Sequence, residues 1–124
     1  MAHRVLVADD EPAVTELMSL ALSSAGYDVL TTNDGVRALE LARRERPDIA
    51  LVDVMLPRMD GREVCRRIKA DPQLADTPVV LFSSMDEPDV NWREAGADAF
   101  LQKAFDILSL PGLVARLLAR RGQG

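Results

Sequence analysis

Apolar runs of four to six residues alternate along this chain with longer stretches whose apolar positions recur at helical spacing. Val5-Leu6-Val7-Ala8, Ile49-Ala50-Leu51-Val52 and Val79-Val80-Leu81-Phe82 are almost wholly apolar, the pattern of strands buried on both faces. Two further runs, 28–32 and 99–102, contain Asp28, Thr31, Thr32 and Gln102, which suits the edges of a sheet. After the first run, Val14, Leu17, Met18, Ala21, Leu22 and Ala25 form one helical stripe. Pro12 suits its first turn and Gly26 its stop. A second helix is expected over about 34–45 with Val36, Leu39 and Ala42 inward, and a third from Gly61 with Val64, Cys65 and Ile68 inward. Asp71 to Pro78 reads as a connection. A short helical stretch near 88–95 ends at Gly96, and the last helix, starting near Pro111-Gly112, turns Leu110, Leu113, Val114, Leu117 and Leu118 to one side.

Strand–helix alternation of this kind predicts an α/β fold, a doubly wound parallel sheet with helices on both faces. Right-handed crossovers and polar edges give the strand order 2-1-3-4-5. Strands one and three then meet at the topological switch point, where ligands bind beyond the carboxyl ends. Asp9-Asp10-Glu11 follow the first strand, Asp53 the third, Ser83-Ser84 the fourth and Lys103 the fifth. All of these polar tips converge on one edge.

Composition narrows the class. The chain has 124 residues, 48% of them hydrophobic, which suits one domain over 1–121 with a frayed tail at 122–124. A net charge of −5 and only short basic clusters (Arg43-Arg44, Arg66-Arg67, Arg120-Arg121) argue against nucleic-acid binding. The lone Cys65 can form no disulfide within the chain and reads as a buried, inert thiol. No stretch has the length of a signal peptide or membrane span, so a cytoplasmic protein is expected.

Carboxylates held a few ångströms apart repel one another unless a cation joins them. Mg²⁺ takes oxygen ligands and keeps several waters, so Asp10 and Asp53 are expected as direct ligands. Asp9 is a direct or water-mediated one, and the Met55 carbonyl could add a further oxygen. As an isolated pair, Asp9 and Asp10 would read as caps of the first helix. Asp53, an acid at the end of a buried strand, needs a partner and tips the balance toward a metal site. A carboxylate can also attack phosphorus to form an aspartyl phosphate. Lys103 and the Ser83 hydroxyl would then each serve one phosphoryl oxygen.

The stretches 5–12, 51–61, 78–84 and 96–103, in this order and spacing, resemble the receiver domain of bacterial two-component response regulators over essentially the whole chain. Within that family the likeness is to single-domain, chemotaxis-type regulators. The resemblance implies a flavodoxin-like three-layer (βα)₅ sandwich. It implies Asp53 as phosphoacceptor, Asp9 and Asp10 as Mg²⁺ ligands, Ser83 as switch hydroxyl, Lys103 as phosphate-sensing cation and Phe100 as the aromatic that turns inward on activation. It further implies a sensor histidine kinase or phosphotransfer protein as donor, an unidentified downstream protein as target, and no catalysis beyond the domain's own phosphorylation and dephosphorylation.

Several positions depart from the family pattern. Ala104 replaces the proline that usually follows the lysine. A cis bond without proline costs about 3–4 kcal/mol, which leaves a trans bond with a shifted Lys103 or a strained cis bond. Phe100 lacks the hydroxyl of the commoner tyrosine. The segment from Ser83 to Gly96 is short, so the fourth helix should be abbreviated, with Trp92 either packed on the sheet or held out as an anchor for a partner. Met55 and Met85 cannot orient water strongly, so self-dephosphorylation should be slow. The alternative function is a pseudo-receiver, a protein-interaction module without a phosphorylation cycle. An aspartyl-phosphate phosphatase would carry a second acid where Met55 stands, and no loop is rich enough in Ser, Thr or Gly for flavin phosphate. A stand-alone receiver is favoured over a piece of a longer chain. An Asp53 carboxyl turned from Asp10, or walled off from solvent by side chains, would end the case for phosphorylation.

Overall fold

A computed structural model of the chain describes residues 2–123. Five parallel strands form one sheet: β1 (Arg4–Ala8), β2 (Asp28–Thr32), β3 (Ile49–Asp53), β4 (Val79–Ser83) and β5 (Ala99–Gln102). Their order is β2-β1-β3-β4-β5, the arrangement the polar and apolar runs predict. The register pairs Ala8 with Val52 and Asp53 with Phe82, so the ends of β1, β3 and β4 lie side by side.

Strand periodicity divides the core in two. Leu6, Ala8, Ala50, Val52 and Leu81 face one side, where they pack with Ala38, Leu39 and Ala42 of α2 (Gly35–Glu45) and Val64, Cys65 and Ile68 of α3 (Gly61–Ala70). Val5, Val7, Ile49, Leu51, Val80 and Phe82 face the other, under Met18 and Leu22 of α1 (Pro12–Ser24) and Leu110, Val114 and Leu117 of α5 (Leu110–Gln123). Every residue of β3 and β4 is buried, whereas β2 and β5 keep exposed positions, as edge strands do. Cys65 is fully buried, and burial pushes its thiol up to about 12, which makes it inert.

Three expectations need correction. Leu17 is 57% exposed and Ala25 is also exposed, although both lie on the predicted stripe of α1. Helices α1 and α5 share one face of the sheet, so α1 presents only a narrow strip to it, and Ala25 already lies past the last helical turn. In α2 the buried positions are Ala38, Leu39 and Ala42, with Val36 only half-buried. The fourth helix, α4, is a single turn, Glu87–Val90, because Asn91 takes the left-handed conformation at φ 54° where the stretch to residue 95 was expected to continue. The C-terminal helix is Leu110–Gln123, and Gly124, the last residue of the tail, lies outside the described residues. A 3₁₀ turn, Ile107–Ser109, precedes it, held by Asp106, whose carboxylate accepts the Leu108 N–H at 3.0 Å.

Gly61 is what lets the chain turn into α3 directly beneath β3. A Cβ there would stand 2.0 Å from the Asp53 carbonyl oxygen, a backbone atom that no rotamer change can move aside. Gly112, in the first turn of α5, has nothing within 4 Å of such a Cβ. Gly61→Ala should therefore destabilise the fold by about 3 kcal/mol and lower Tm by about 10 °C. Gly112→Ala should leave stability unchanged or raise it by up to about 1 kcal/mol. Thermal and urea unfolding of the two variants checks the contrast.

Candidate functional site

The site is assembled from strand ends. Asp9 follows β1, Asp53 ends β3, and the segment after β5 carries Lys103 back across the sheet edge. Carboxylate oxygens of Asp9, Asp10, Glu11 and Asp53 all lie within 4.8 Å of one another. Lys103 Nζ stands among them, 3.1 Å from Asp9 Oδ2, 3.1 Å from Asp53 Oδ2, and ion-paired with Glu11. Lys103, Asp9, Asp10 and Asp53 thus come together as the sequence predicts.

Each acid is held differently. Asp9 Oδ1 accepts the Glu11 N–H at 2.8 Å, a local turn and not a helix cap; Glu11 occupies the cap position of α1 and makes no side-chain capping bond. Asp9 Oδ2 is buried without an aligned donor, although the Lys103 ammonium is close, so that contact is Coulombic more than directional. Burial raises the Asp9 pKa, with repulsion from Asp53 adding to it, against the Glu11 N–H and Lys103. Asp53 Oδ1 accepts the Met55 N–H at 3.0 Å, so both of its oxygens are engaged. For Lys103, loss of hydration is outweighed by Glu11, Asp53 and Asp9, and its pKa lies well above the usual lysine value.

This donor set fits a hard divalent cation. It is all oxygen, it carries more negative than positive charge, and it contains a buried carboxylate oxygen that no donor satisfies. Asp10 is exposed, and with Asp9 it borders an open groove of about 450 Å³ that also touches Thr32, Asn33 and Arg37, a path by which a hydrated ion could arrive. The Asp53 carboxyl does turn toward Asp10. Its side chain is nonetheless only 2% exposed, with Lys103 over Oδ2.

The other predicted residues are placed less directly. Ser83 is fully buried at the end of β4; its Oγ accepts the Met85 N–H at 3.0 Å and its carbonyl accepts the Lys103 N–H at 2.8 Å. Its side chain makes no hydrogen bond to Asp53 or Lys103 among the described residues. Phe100, opposite Leu81 in the register, is half-buried against the core on the α2–α3 side. The peptide bond from Lys103 to Ala104 is trans. Met55 is 60% exposed, while Met85 packs against the core. Trp92 is half-buried on the α2–α3 side of the sheet; its Nε1 donates to Glu87 at 3.0 Å and Arg93 lies over its ring, so packing prevails over an exposed anchor. Glu11 is the participant that sequence reasoning missed as a site residue. Its only signal was its place beside Asp9-Asp10, and its partner lies 92 residues away.

Comparison with known proteins agrees with this geometry. The sequence profile of the response regulator receiver domain matches residues 5–115. The DNA-binding dual master transcriptional regulator RpaA of Synechocystis is 38% identical over 119 residues, covering 94% of this chain and 49% of that protein. This chain spans about half the length of the first curated relatives it matches. A putative response regulator from Chloroflexus aurantiacus superposes with a TM-score of 0.91 at 33% identity, covering 97% of this chain and 100% of that one. The receiver domain of sensor histidine kinase PA1611 from Pseudomonas aeruginosa, solved with a magnesium ion in its active-site cleft, gives 0.87 at 27% identity, covering 96% and 99%. No helix among the described residues is long and apolar enough to cross a membrane. The fold, the clustered acids and the match over residues 5–115 lead to one assignment: the chain belongs to the receiver domain family of two-component response regulators.

Proposed function

We propose that Asp53 accepts a phosphoryl group from the phosphohistidine of a sensor histidine kinase or phosphotransfer protein. Asp9, Asp10, Asp53 and the Met55 carbonyl would hold Mg²⁺, and occupancy of Asp53 would switch a protein-interaction face toward a downstream target. The observation that carries this is Lys103, drawn into the acid cluster with contacts to Asp9, Glu11 and Asp53. The magnesium in the Pseudomonas receiver supports the choice of ion. The domain catalyses only its own phosphorylation and dephosphorylation. No nucleic-acid contact is proposed for this acidic segment.

The chain's own groups divide the work. Mg²⁺, when bound, neutralises the carboxylates and polarises the incoming phosphoryl group. Lys103 withdraws from Asp53 Oδ2, freeing that oxygen while the Met55 N–H keeps the carboxyl oriented through Oδ1. Oδ2 forms the O–P bond, the P–N bond to the donor imidazole breaks, and its electron pair returns to the ring nitrogen. Lys103 then pairs with a phosphoryl oxygen, and the Ser83 hydroxyl donates to another. The product adds roughly −1.5 to −2 charges. Because the Lys103 N–H is bonded to the Ser83 carbonyl, and Gln102 reaches Asp86 at 3.4 Å, movement at Ser83 and Lys103 passes to α4, β5 and Phe100.

One observation favours the alternative, a pseudo-receiver that binds partners without a phosphorylation cycle: the Asp53 side chain is 2% exposed beneath Lys103. Incubation with Mg²⁺ and a small acyl phosphate or phosphoramidate, followed by intact mass, separates the two. We expect one added phosphoryl group on the wild-type chain and none on Asp53→Asn or without Mg²⁺. An unmodified wild-type mass would establish the pseudo-receiver.

Once formed, the aspartyl phosphate should persist, because the Met55 and Met85 side chains offer attacking water no strong hydrogen bond. Phosphate release after removal of the donor should take many minutes; decay within seconds would refute this account of the two methionines.

Donor docking leaves a separate trace. Leu17 and Leu20 on α1, and Leu108 in the 3₁₀ turn, are 57%, 66% and 82% exposed on elements that flank the site. Leu17→Ser with Leu108→Ser should slow transfer from any phosphohistidine protein that labels the wild type by about tenfold. Labelling by the small donor should stay unchanged, and parallel time courses with the two donors read the difference.

A further inference from the structure

Asp34 spends its two carboxylate oxygens on two different elements. Oδ1 accepts the Arg37 N–H at 2.8 Å and so caps α2, while Oδ2 pairs at 3.3 Å with Nη1 of Arg58, in the loop between β3 and α3. The Asp34 side chain is only 10% exposed although Arg58 is 59% exposed, so the acid is fixed and the cation comes to it. One residue on, the Gly35 N–H donates to the Pro57 carbonyl at 3.0 Å. The backbones approach so closely there that a Cβ on Gly35 would stand 1.9 Å from the Met59 carbonyl oxygen. Arg58 itself adopts φ 69°, the left-handed region that a non-glycine residue seldom takes, between these contacts.

The same loop begins at the site. Met55 donates its N–H to Asp53 Oδ1, and at the far end the Gly61 N–H returns to the Val54 carbonyl at 2.9 Å. The loop is therefore tied down at both ends beside β3; in its middle Leu56 and Met59 pack into the core, and the polar contacts that hold Pro57 and Arg58 come from the start of α2. Released from Asp34 and Gly35, Pro57 and Arg58 could swing, and Met55 would turn with them.

We propose that Asp34 is a positioning residue for the phosphoacceptor site: through Arg58, with the Gly35–Pro57 hydrogen bond beside it, it braces the loop and fixes the Met55 N–H and carbonyl about Asp53. It touches neither the ion nor the phosphoryl group. The proposal rests on Asp53 being the phosphoacceptor, and its test separates the two ideas.

Two variants cut the brace without removing the helix cap. Asp34→Asn keeps an oxygen for the Arg37 N–H but loses the charge that draws Arg58. Arg58→Gly suits the left-handed backbone and removes the guanidinium. Amide hydrogen exchange, Mg²⁺ titration calorimetry and thermal unfolding are measured on both and on the wild type. We expect Tm close to wild type, Met55 amide exchange about tenfold faster, and Mg²⁺ affinity about tenfold weaker. Arg58→Lys, which retains a cation, should recover most of both effects. Unchanged Met55 exchange overturns the brace, and faster exchange with undiminished Mg²⁺ affinity overturns its role in positioning. If the wild-type chain binds no Mg²⁺ and takes no phosphoryl group, the phosphoacceptor assignment falls instead, and the exchange rates still decide whether Asp34 holds the loop.

Discussion

Four carboxylates around one ammonium is the constraint that the rest of this molecule accommodates. Oxygens of Asp9, Asp10, Glu11 and Asp53 within 4.8 Å make six mutual repulsions, against three ion pairs from Lys103. Unit charges at that separation repel by roughly 3 kcal/mol per pair at an effective dielectric of about 20. One lysine therefore cannot balance the cluster, and its drawn-in position is the response of the nearest cation to an excess of negative charge. Burial is the main reason the Asp9 carboxyl pKa is raised, and repulsion from Asp53 adds to it. A site in this condition gains from any further positive charge, which is why an oxygen-seeking divalent ion is the ligand it suits.

What keeps such a cluster from dispersing is the sheet beneath it. Asp9 and Asp53 extend from β1 and β3, strands buried along almost their whole length and hydrogen-bonded in register. Neither acid can retreat into solvent without breaking ladder bonds or uncovering both halves of the core. Asp10 and Glu11 sit one and two residues beyond and remain exposed, so they relax while the inner pair cannot. The fold thus holds two acids by burial and leaves two adjustable, a division that follows from strand length alone.

The parts of this arrangement legible in the sequence are those set by the chain's local pattern. Apolar runs located the strands, polar residues in 28–32 and 99–102 located the edges, and their order placed Asp53 beside Asp9 and Asp10 with Lys103 in reach. The errors came where neighbours, not periodicity, decide. Leu17 satisfies the helical stripe but lies exposed, because α1 and α5 divide one face of the sheet between them. Helix α4 stops at Val90 because Asn91 turns left-handed, which no apolar count foretells. The Glu11–Lys103 and Asp34–Arg58 pairs were invisible for a related reason. Each is a polar contact between segments far apart in the chain, created only when loops have closed over the sheet.

Burial of Asp53 then takes on a particular meaning. A carboxylate with both oxygens engaged is well oriented and poorly reactive, and the two properties come from different partners. The Met55 N–H orients through a short local turn in which Lys103 takes no part. The ammonium blocks, and it is the movable partner, since it sits at the end of a flexible side chain and has Glu11 to hold it when it leaves Oδ2. Lys103 is also bound through its backbone to the carbonyl of Ser83, at the end of the next strand. If Asp53 is the phosphoacceptor, as proposed, the group that must move to expose the acid is also the group placed to signal its occupancy. In the proposed cycle, gating and signalling are two uses of one displacement.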